Sequence, residues 1–407
     1  MKYVPIPVEM LPVGQPLPVN LWNPQGVLLL RRGQPIVSEA HRDKLHAHQA
    51  GTTETEAQAW QRAYERMVHR LLQEGVDVAQ IARMPMPGAI SERDYHSGEQ
   101  LNGGWLDLQE VLRGILYQGG LALNPVPRLV ALENKMRALL QADADDSLFC
   151  LFQALADSSL GYCATHALLC ASICELAGHK LGLDAHQRQA LLSAALTMNI
   201  GMAREQDVLA RQSTAPTPAQ RELIRDHPEI SVRILRSHGI DDEDELDLVR
   251  WHHQPEAPEA LARNLPLRQL LHLSDVFVAK MAARRTREAI SPLESAKAIY
   301  LRGETGAPEP VGAALAAVVG FYPPGTYVRL VGGEIAVVAQ RGARANTPWV
   351  LVVVDRHGMP VLSQNCLDTS DPAHAIAAPM LYRGGKVVVH VERVRRARAK
   401  IRPPASA

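Results

Sequence analysis

One stretch of the chain, residues 161–287, most constrains the fold. Its apolar residues recur at three- and four-residue intervals, which is typical of packed helices. The candidate ligands, which fall inside helices or at helix ends, are His166, His227, His252, His253 and Asp275. Imidazole and carboxylate groups are common protein ligands of divalent metals. Because Asp275 lies in a largely apolar segment, its carboxylate needs a metal, an arginine or a capping contact as compensation. The stretch therefore predicts a metal cluster within a helical domain.

The rest of the sequence divides around this stretch. Residues 1–80 predict a small N-terminal module of strands and helix, and residues 81–105 are rich in Pro, Gly, Ser and charge, as in a linker. Residues 106–320 predict the helical domain, and residues 321–407 predict a β extension followed by a basic tail. The fold class is therefore predicted to be mainly α, a helical bundle with a small β-containing N-terminal module and a C-terminal β extension.

Three local patterns predict where elements begin and end. Residues 38 to about 73 are polar and compatible with helix. A helix is expected to stop at His227, because a residue before proline avoids the α region, and Pro228 is expected to open the next helix. The basic segment 392–400 is expected to be a solvated or frayed terminus, with a nucleic-acid site as the alternative.

Composition limits the partners. Lys+Arg and Asp+Glu both total 43, so no net field draws the protein to nucleic acid or to an anionic membrane. The N-terminus lacks the apolar core of a signal peptide, and the longest apolar run, residues 311–322, is too short to span a bilayer. Five unevenly spaced cysteines fit a reducing compartment better than a disulfide framework. We expect a cytoplasmic protein with no membrane partner.

The segment from Gly161 to Gly178 has many small side chains, which allow a neighbouring helix to approach closely. Three of the cysteines and His166 fall near one face of this predicted helix. Two interpretations stay open. The cluster is either a zinc site, or a set of buried cysteines acting as small hydrophobic residues.

The order of these motifs resembles the HD-GYP domain, the all-helical, metal-dependent phosphodiesterase of cyclic di-GMP. The resemblance covers about residues 145–325. It rests on His166, a two-residue centre at positions 198 and 199, His227-Pro228-Glu229-Ile230, His252-His253 and Ser274-Asp275-Val276-Phe277. It implies an HD-type helical bundle and metal ligands at His166, His227, His252, His253 and Asp275. The pattern Arg284-Arg285-Thr286-Arg287 looks like the family's phosphate-binding motif, which makes Arg284 and Arg287 the expected phosphate ligands.

The chain departs from the family at the centre of the site. The His-Asp pair falls on Met198 and Asn199, the lysine that closes that motif falls on Met202, and no Gly-Tyr-Pro follows His253. A neutral amide is a poor bridge between two cations, and a thioether is a soft ligand where iron or manganese prefers imidazole or carboxylate. We therefore expect an incomplete site that holds one divalent ion, iron or manganese. The alternative is that the histidines are hydrogen-bonded core residues.

Three functions follow from this comparison. The first is a cyclic di-GMP signalling protein with a degenerate, catalytically inactive HD-GYP domain that acts by binding the nucleotide or a protein partner. The second is a metal-dependent cyclic di-GMP phosphodiesterase with an altered metal site. The third is a metal-free helical interaction scaffold. A protein partner in signalling is expected, a homodimer is among the open assemblies, and nucleic acid is not an expected partner.

Overall fold

The structure is a computed structural model, and it describes residues 3–8, 11–73, 84–90, 104–156, 161–282, 310–380 and 389–401. The described residues fall into two compact units, the first within residues 1–103 and 113–131 and the second within residues 104–112 and 132–407. Arg284 and Arg287, the predicted phosphate ligands, lie outside the described residues.

The first unit contains a small antiparallel sheet and two helices. The strands, whose order in the sheet is β1-β4-β2-β3, are β1 (Tyr3–Pro5), β2 (Leu21–Trp22), β3 (Leu28–Leu30) and β4 (Gly51–Thr53). The helices are α1 (Glu39–Ala47) and α2 (Glu54–Gln73). The prediction of helix through residues 38 to 73 is wrong at β4. This strand pairs with β1 and β2, which are far away in sequence, and its Gly51 lies directly against the backbone of Val4. Local periodicity does not reveal such pairing.

Two helices, α3 (Trp105–Gln118) and α4 (Pro125–Ala142), contribute residues to both units. The second unit continues with the helical bundle that carries the candidate site. Its helices are α5 (Ala144–Ala156), α6 (Tyr162–Lys180), α7 (Ala185–Thr197), α8 (Ala203–Arg211), α9 (Pro218–Ser237), α10 (Glu243–Trp251), α11 (Leu265–Met281) and α12 (Pro310–Val319).

Helix α6 is the centre of this bundle. It is buried on nearly all sides and packs against α5, α7, α8, α11 and α12, as its small side chains predict. Its N-terminus is fixed by Asp207 of α8, whose carboxylate accepts hydrogen bonds from the backbone N–H groups of Tyr162 (2.8 Å) and Cys163 (2.6 Å). An acidic side chain is favourable there, because the first N–H groups of a helix have no partner within the helix.

Helix α9 differs from its predicted course. Thr217 and Gln220 form the expected capping box, with Pro218 in the first turn. The helix then runs without interruption to Ser237, with Pro228 inside it, so the prediction of a helix end at His227 is wrong. Proline forbids one hydrogen bond and strains the helix, but packing against neighbouring elements can hold the segment helical.

After α12 the chain forms an antiparallel sheet with the order β8-β7-β6-β5-β9. Its strands are β5 (Tyr327–Leu330), β6 (Ile335–Gln340), β7 (Trp349–Val354), β8 (Leu367–Asp368) and β9 (Ile376–Met380). Strands β5 and β6 form an antiparallel hairpin around Gly332-Gly333. Phe149 of α5 packs against one face of the sheet within a common apolar cluster.

The basic segment near the C-terminus is ordered as helix α13 (Val391–Arg398). Val394 and Ala397 are buried against the sheet. Arg395 donates two hydrogen bonds to Asp146, at 2.9 and 2.8 Å, and Arg398 donates to Asp143 at 2.8 Å. The prediction of a frayed terminus is therefore wrong for this segment, because these two arginines are ion-paired to the beginning of α5.

The described elements confirm the predicted fold class, mainly α with β-containing parts near both ends. All five cysteines are free thiols, as expected. No helix in the described part of the chain combines the length and the apolar character that crossing a bilayer requires.

Candidate metal centre

Three of the predicted ligands converge where the middle of helix α9 faces the C-terminal end of helix α10. His227 lies within α9, and His252 and His253 follow α10 directly. The Nε2 atoms of His227 and His252 are 3.2 Å apart, and the rings of His252 and His253 have centroids 4.0 Å apart. One ligand atom from each histidine lies within 4.8 Å of the other two. The structure therefore brings these three histidines together.

Pro228 fixes which nitrogen of His227 is free. A residue at position 228 would normally donate its N–H to the carbonyl of Ile224, but proline has no N–H. That carbonyl instead lies 2.6 Å from His227 Nδ1. Because a carbonyl only accepts, Nδ1 carries the hydrogen and Nε2 of the neutral imidazole presents a lone pair. The proline that strains α9 therefore also sets the tautomer of His227.

His252 has the same tautomer. Its Nδ1 lies 2.7 Å from the carbonyl of Val249, near the end of α10, where carbonyls lack partners within the helix. The backbone carbonyl of His252 is held by His272 Nδ1 of α11 at 2.8 Å. The Nε2 lone pairs of His227 and His252 therefore face each other. Two neighbouring ligand atoms of one divalent ion are about 3.0–3.5 Å apart, so this pair fits a shared ion.

Burial keeps these imidazoles neutral. Desolvation lowers the pKa of His227 to about 4, although its backbone hydrogen bond acts in the opposite direction. Desolvation also lowers the pKa of His252 well below its ordinary value, and neighbouring histidines add to the effect. His253, 43% of whose side chain is exposed, has a lowered pKa for the same principal reason. Neutral imidazole is the form that binds metals, so the cluster is prepared for a cation near pH 7.

Asp275 of α11 lies between this cluster and His166 of α6. Its Oδ1 is 2.8 Å from His166 Nε2, and its Oδ2 is 3.7 Å from His253 Nδ1. Burial alone would raise the pKa of Asp275, but the hydrogen bond from His166 and the nearby histidines outweigh burial and lower it. The other nitrogen of His166 lies 2.9 Å from the hydroxyl of Tyr162. All five predicted ligands therefore occupy one continuous cluster.

The turn that follows α7 brings Met198 and Asn199 to helix α9. Met198 is fully buried and Asn199 is 5% exposed. The hydroxyl of Ser231, one turn after His227, donates to the carbonyl of Met198 (2.7 Å) and accepts from the N–H of Gly201 (3.0 Å). A Cβ at Gly201 would lie only 2.8 Å from the carbonyl of His227, so this close approach requires glycine.

The carboxylates nearest to Met198 and Asn199 in sequence have other partners. Glu205 and Asp207 both lie in α8. Asp207 is engaged at the N-terminus of α6, and Glu205 accepts a hydrogen bond from Gln220. Met202 is the last residue of a short 3₁₀ turn.

A buried ion pair holds the loop that follows His253. Arg268 of α11 donates to Asp247 of α10 at 2.6 Å and to the carbonyl of Pro255 at 2.8 Å. The other carboxylate oxygen of Asp247 accepts from the N–H of Leu261. The loop that follows His253 is thus anchored at both ends.

Sequence reasoning missed several residues that position this cluster. They are Tyr162, Ser231 and His272, together with the carbonyl of Ile224. His272 had a usable signal, since it lies three residues before Asp275 and therefore on the same side of α11. The role of Ile224 could be inferred from the proline four residues later. Ser231 and Tyr162 act across the fold, which spacing alone does not reveal.

In the variant Pro228→Ala, the stability of the metal-free protein is expected to rise and its metal affinity is expected to fall. The new N–H bonds the carbonyl of Ile224, so unfolding without metal should require about 1–3 kcal/mol more free energy. His227 then competes for that carbonyl and loses its fixed tautomer, so metal affinity should fall about 10-fold. Thermal unfolding and metal titration measure the two effects. Pro218→Ala in the first turn of the same helix is the control. Unchanged metal affinity in Pro228→Ala would refute the role given to the proline.

Fold and site together define an α-helical protein with a buried cluster of histidines around a carboxylate. No protein-family model matches the chain, and no curated protein matches it. Among solved structures, the chain is similar to Bd1817, a HDG"Y"P protein from Bdellovibrio bacteriovorus. The similarity has 16% sequence identity and a TM-score of 0.40, and it covers 78% of this chain and 99% of that one.

Proposed function

We propose that the chain is a signalling protein with a degenerate HD-GYP-like domain that binds one divalent ion and recognises cyclic di-GMP or a protein partner without hydrolysing the nucleotide. His227, His252, His253 and Asp275 would hold the ion. Imidazole nitrogens and a carboxylate suit iron or manganese, in keeping with the sequence expectation. A bound divalent ion would act as a Lewis acid toward a phosphate oxygen.

One observation carries this proposal. The facing Nε2 atoms of His227 and His252, 3.2 Å apart, are both set as lone-pair donors by backbone carbonyls. A histidine that serves only as a hydrogen-bonded core residue would pair each nitrogen with a donor or acceptor of opposite kind. Two convergent acceptors fit a cation instead. This supports the metal-binding version over the metal-free scaffold.

The residues at positions 198 and 199 support the part of the proposal that the protein does not hydrolyse cyclic di-GMP. Hydrolysis of a phosphodiester by two metals needs anionic ligands that hold both cations at about 3.5–4 Å. At the turn after α7, Asn199 offers a neutral amide and Met198 a thioether. The nearby carboxylate of Asp207 is committed to the N-terminus of α6. Ion binding can therefore persist while the chemistry is lost.

An open cleft of about 540 Å³ beside His253 supports ligand binding next to the ion. Trp251 forms part of its wall and offers a surface on which a base can stack. Arg225 and Arg250 also line it, and guanidinium groups pair well with phosphate oxygens. Each arginine has an acidic neighbour, Asp226 and Glu229 respectively, so an anionic ligand must compete with these ion pairs.

Calorimetry tests nucleotide recognition. Titration of the metal-loaded protein with cyclic di-GMP should release heat, and Arg250→Ala and Arg284→Ala should each weaken binding about 10-fold through the loss of a charge-assisted hydrogen bond. Arg236→Ala, an exposed arginine of α9 that pairs with Glu243, is the matched control. An absence of heat with the wild-type protein rejects nucleotide recognition and leaves the protein partner as the ligand.

A turnover assay tests the absence of hydrolysis. After loading with manganese or iron(II), the wild-type protein should release no linear dinucleotide from cyclic di-GMP. The double variant Met198→His, Asn199→Asp restores an imidazole and an anionic ligand, so product should appear. Product from the wild-type protein would instead establish a working phosphodiesterase with an altered metal site.

A further inference from the structure

A histidine and two aspartates meet where helices α7 and α10 begin. His186 lies in the first turn of α7, Asp242 is the residue that caps α10, and Asp244 lies in the first turn of α10. His186 Nε2 is 3.2 Å from Asp242 Oδ2, and His186 Nδ1 is 3.7 Å from Asp244 Oδ2. One ligand atom from each residue lies within 4.8 Å of the other two. The candidate metal centre is at the opposite end of α10, where His252 and His253 follow the helix.

Other contacts hold both carboxylates in place and leave one oxygen of each for His186. Asp242 Oδ1 accepts hydrogen bonds from the backbone N–H of Asp244 (2.9 Å) and of the next residue (3.1 Å). Asp244 Oδ1 accepts from Arg263 Nε (2.7 Å) and Asn264 Nδ2 (3.0 Å). Outer contacts of this kind orient the ligands of metal sites. The two Oδ2 atoms are thus directed to the imidazole.

A neutral imidazole cannot satisfy both carboxylates. It carries one N–H, which can donate to Asp242 or to Asp244, and its other nitrogen then presents a lone pair to an anionic oxygen. A cation removes this repulsion between acceptors, either as a second proton on the ring or as a metal ion between the three ligand atoms. The geometry therefore fits an imidazolium held by two aspartates or an ion-binding site.

We propose that His186, Asp242 and Asp244 bind a divalent ion of the zinc class at the start of α7 and α10. Neighbouring nitrogen and oxygen ligands of such an ion are about 3.0–3.5 Å apart. The separation of His186 Nε2 and Asp242 Oδ2 lies in that range. Because the side chain of His186 is 62% exposed, its ring is free to turn until one nitrogen meets both oxygens. Imidazole and carboxylate suit zinc and similar ions, and water completes the coordination.

The charge at this end of the bundle favours a cation. The N-terminus of a helix acts as about half a positive charge, which opposes a metal ion. Acidic residues outweigh this effect, because every residue from Asp241 to Asp244 is acidic and Asp184 caps α7. Two arginines, Arg236 and Arg263, form ion pairs with members of this acidic run. The carboxylates still outnumber these two arginines, so a divalent ion brings the group closer to neutrality.

The ion connects two helices that reach the candidate metal centre at their other ends. Helix α7 leads directly to Met198, and α10 leads directly to His252. An ion that binds only the folded protein raises the free energy of unfolding by mass action. The proposed site shares no ligand with the candidate metal centre. Each site can therefore fail without the other, and this inference does not rest on the proposed function.

Chemical modification of histidine tests the site in the wild-type protein. Diethyl pyrocarbonate modifies the unprotonated nitrogen of exposed imidazoles, and a bound metal blocks that nitrogen. At free zinc about 100 times the dissociation constant, modification of His186 should slow at least about 10-fold, because nearly every site is occupied. Peptide mass spectrometry measures the rate. His179, 54% exposed with its Nε2 3.2 Å from one carboxylate oxygen of Glu175, is the matched control and should react as before.

The variant Asp242→Asn separates the metal ligand from the helix cap. Asparagine caps a helix about as well as aspartate, so the cap of α10 is kept while an anionic ligand is lost. The zinc affinity, measured by the protection of His186, should fall at least about 10-fold. Asp184→Asn makes the same change at the cap of α7, where Asp184 accepts from the N–H of Gln187. This control should leave the zinc affinity almost unchanged.

Three results overturn the inference. The first is a rate of His186 modification that zinc does not change in the wild-type protein, which would leave an imidazolium held by two aspartates. The second is equal zinc affinity in Asp242→Asn and Asp184→Asn. The third is loss of the protection of His186 in folded His252→Ala protein, since the effect of zinc would then belong to the candidate metal centre. Protection that persists in His252→Ala supports a separate site.

Discussion

Replacing His252 by alanine is expected to lower the affinity of the proposed metal site, formed by His227, His252, His253 and Asp275, for manganese or iron(II) by at least ~100-fold. The change removes one of the two facing Nε2 atoms, and altering even an outer partner of a ligating histidine typically costs 10–100-fold. His227 Nε2, 3.2 Å away in the wild-type protein, then has no imidazole opposite it. Competition with a chromophoric chelator measures the affinity.

The same substitution should remove the stabilisation that the metal gives to the folded protein. At a free-metal concentration about 100 times the dissociation constant, ligand linkage adds about 2.7 kcal/mol to the free energy of unfolding. The variant should show almost none of it. His179→Ala near the end of α6, where the histidine is 54% exposed, is the matched control. Equal metal stabilisation of the wild type and His252→Ala would show that the ion, if bound, lies elsewhere.

Replacing Glu245 by glutamine is expected to stabilise the protein by ~2–4 kcal/mol at pH 8 and by little near pH 4. Glu245 is 8% exposed at the start of α10, and its Oε1 has no hydrogen-bond partner among the described residues. Burial, followed by repulsion from Glu133 and Asp242, raises its pKa to about 8. Glutamine resembles the protonated acid and cannot ionise.

The sign of this pH dependence of the free energy of unfolding follows from proton linkage. A carboxyl whose pKa is raised in the folded state is protonated in both states below about pH 4, where its contribution is fully present. Between about pH 4 and 8 the unfolded chain loses the proton and the folded protein keeps it, so the free energy of unfolding falls as pH rises. Urea unfolding at several pH values measures the difference. Glu243→Gln, an exposed residue two positions earlier, is the control. A stability difference that does not grow with pH would contradict the raised pKa.

Much of the helical domain could be predicted from the sequence. The span Glu243–Trp251 has the amphipathic spacing of a helix, and the capping residues Thr217 and Gln220 mark the start of α9. These features depend on local chemistry, such as orphan N–H groups and amphipathic spacing. The histidines could be named as a set because their order along the chain resembles the motif order of the HD-GYP domain.

The features that could not be predicted depend on contacts between distant segments. Gly51–Thr53 becomes a strand only by pairing with β1 and β2, and Pro228 stays helical because its surroundings hold it. The basic helix α13 is ordered by acids about 250 positions earlier. For the site, the approach of Cys170 to Asp275 could not be predicted from spacing, because α6 and α11 are brought together only by the packing of the bundle.

Metal content is the measurement that tests the account most directly. The purified chain, reconstituted anaerobically with iron(II) or manganese and desalted, should retain at least one equivalent of metal by elemental analysis, and His252→Ala should retain less. Wild-type protein that retains no metal would contradict the account. The histidines would then be a hydrogen-bonded core, and the chain would be a metal-free helical scaffold.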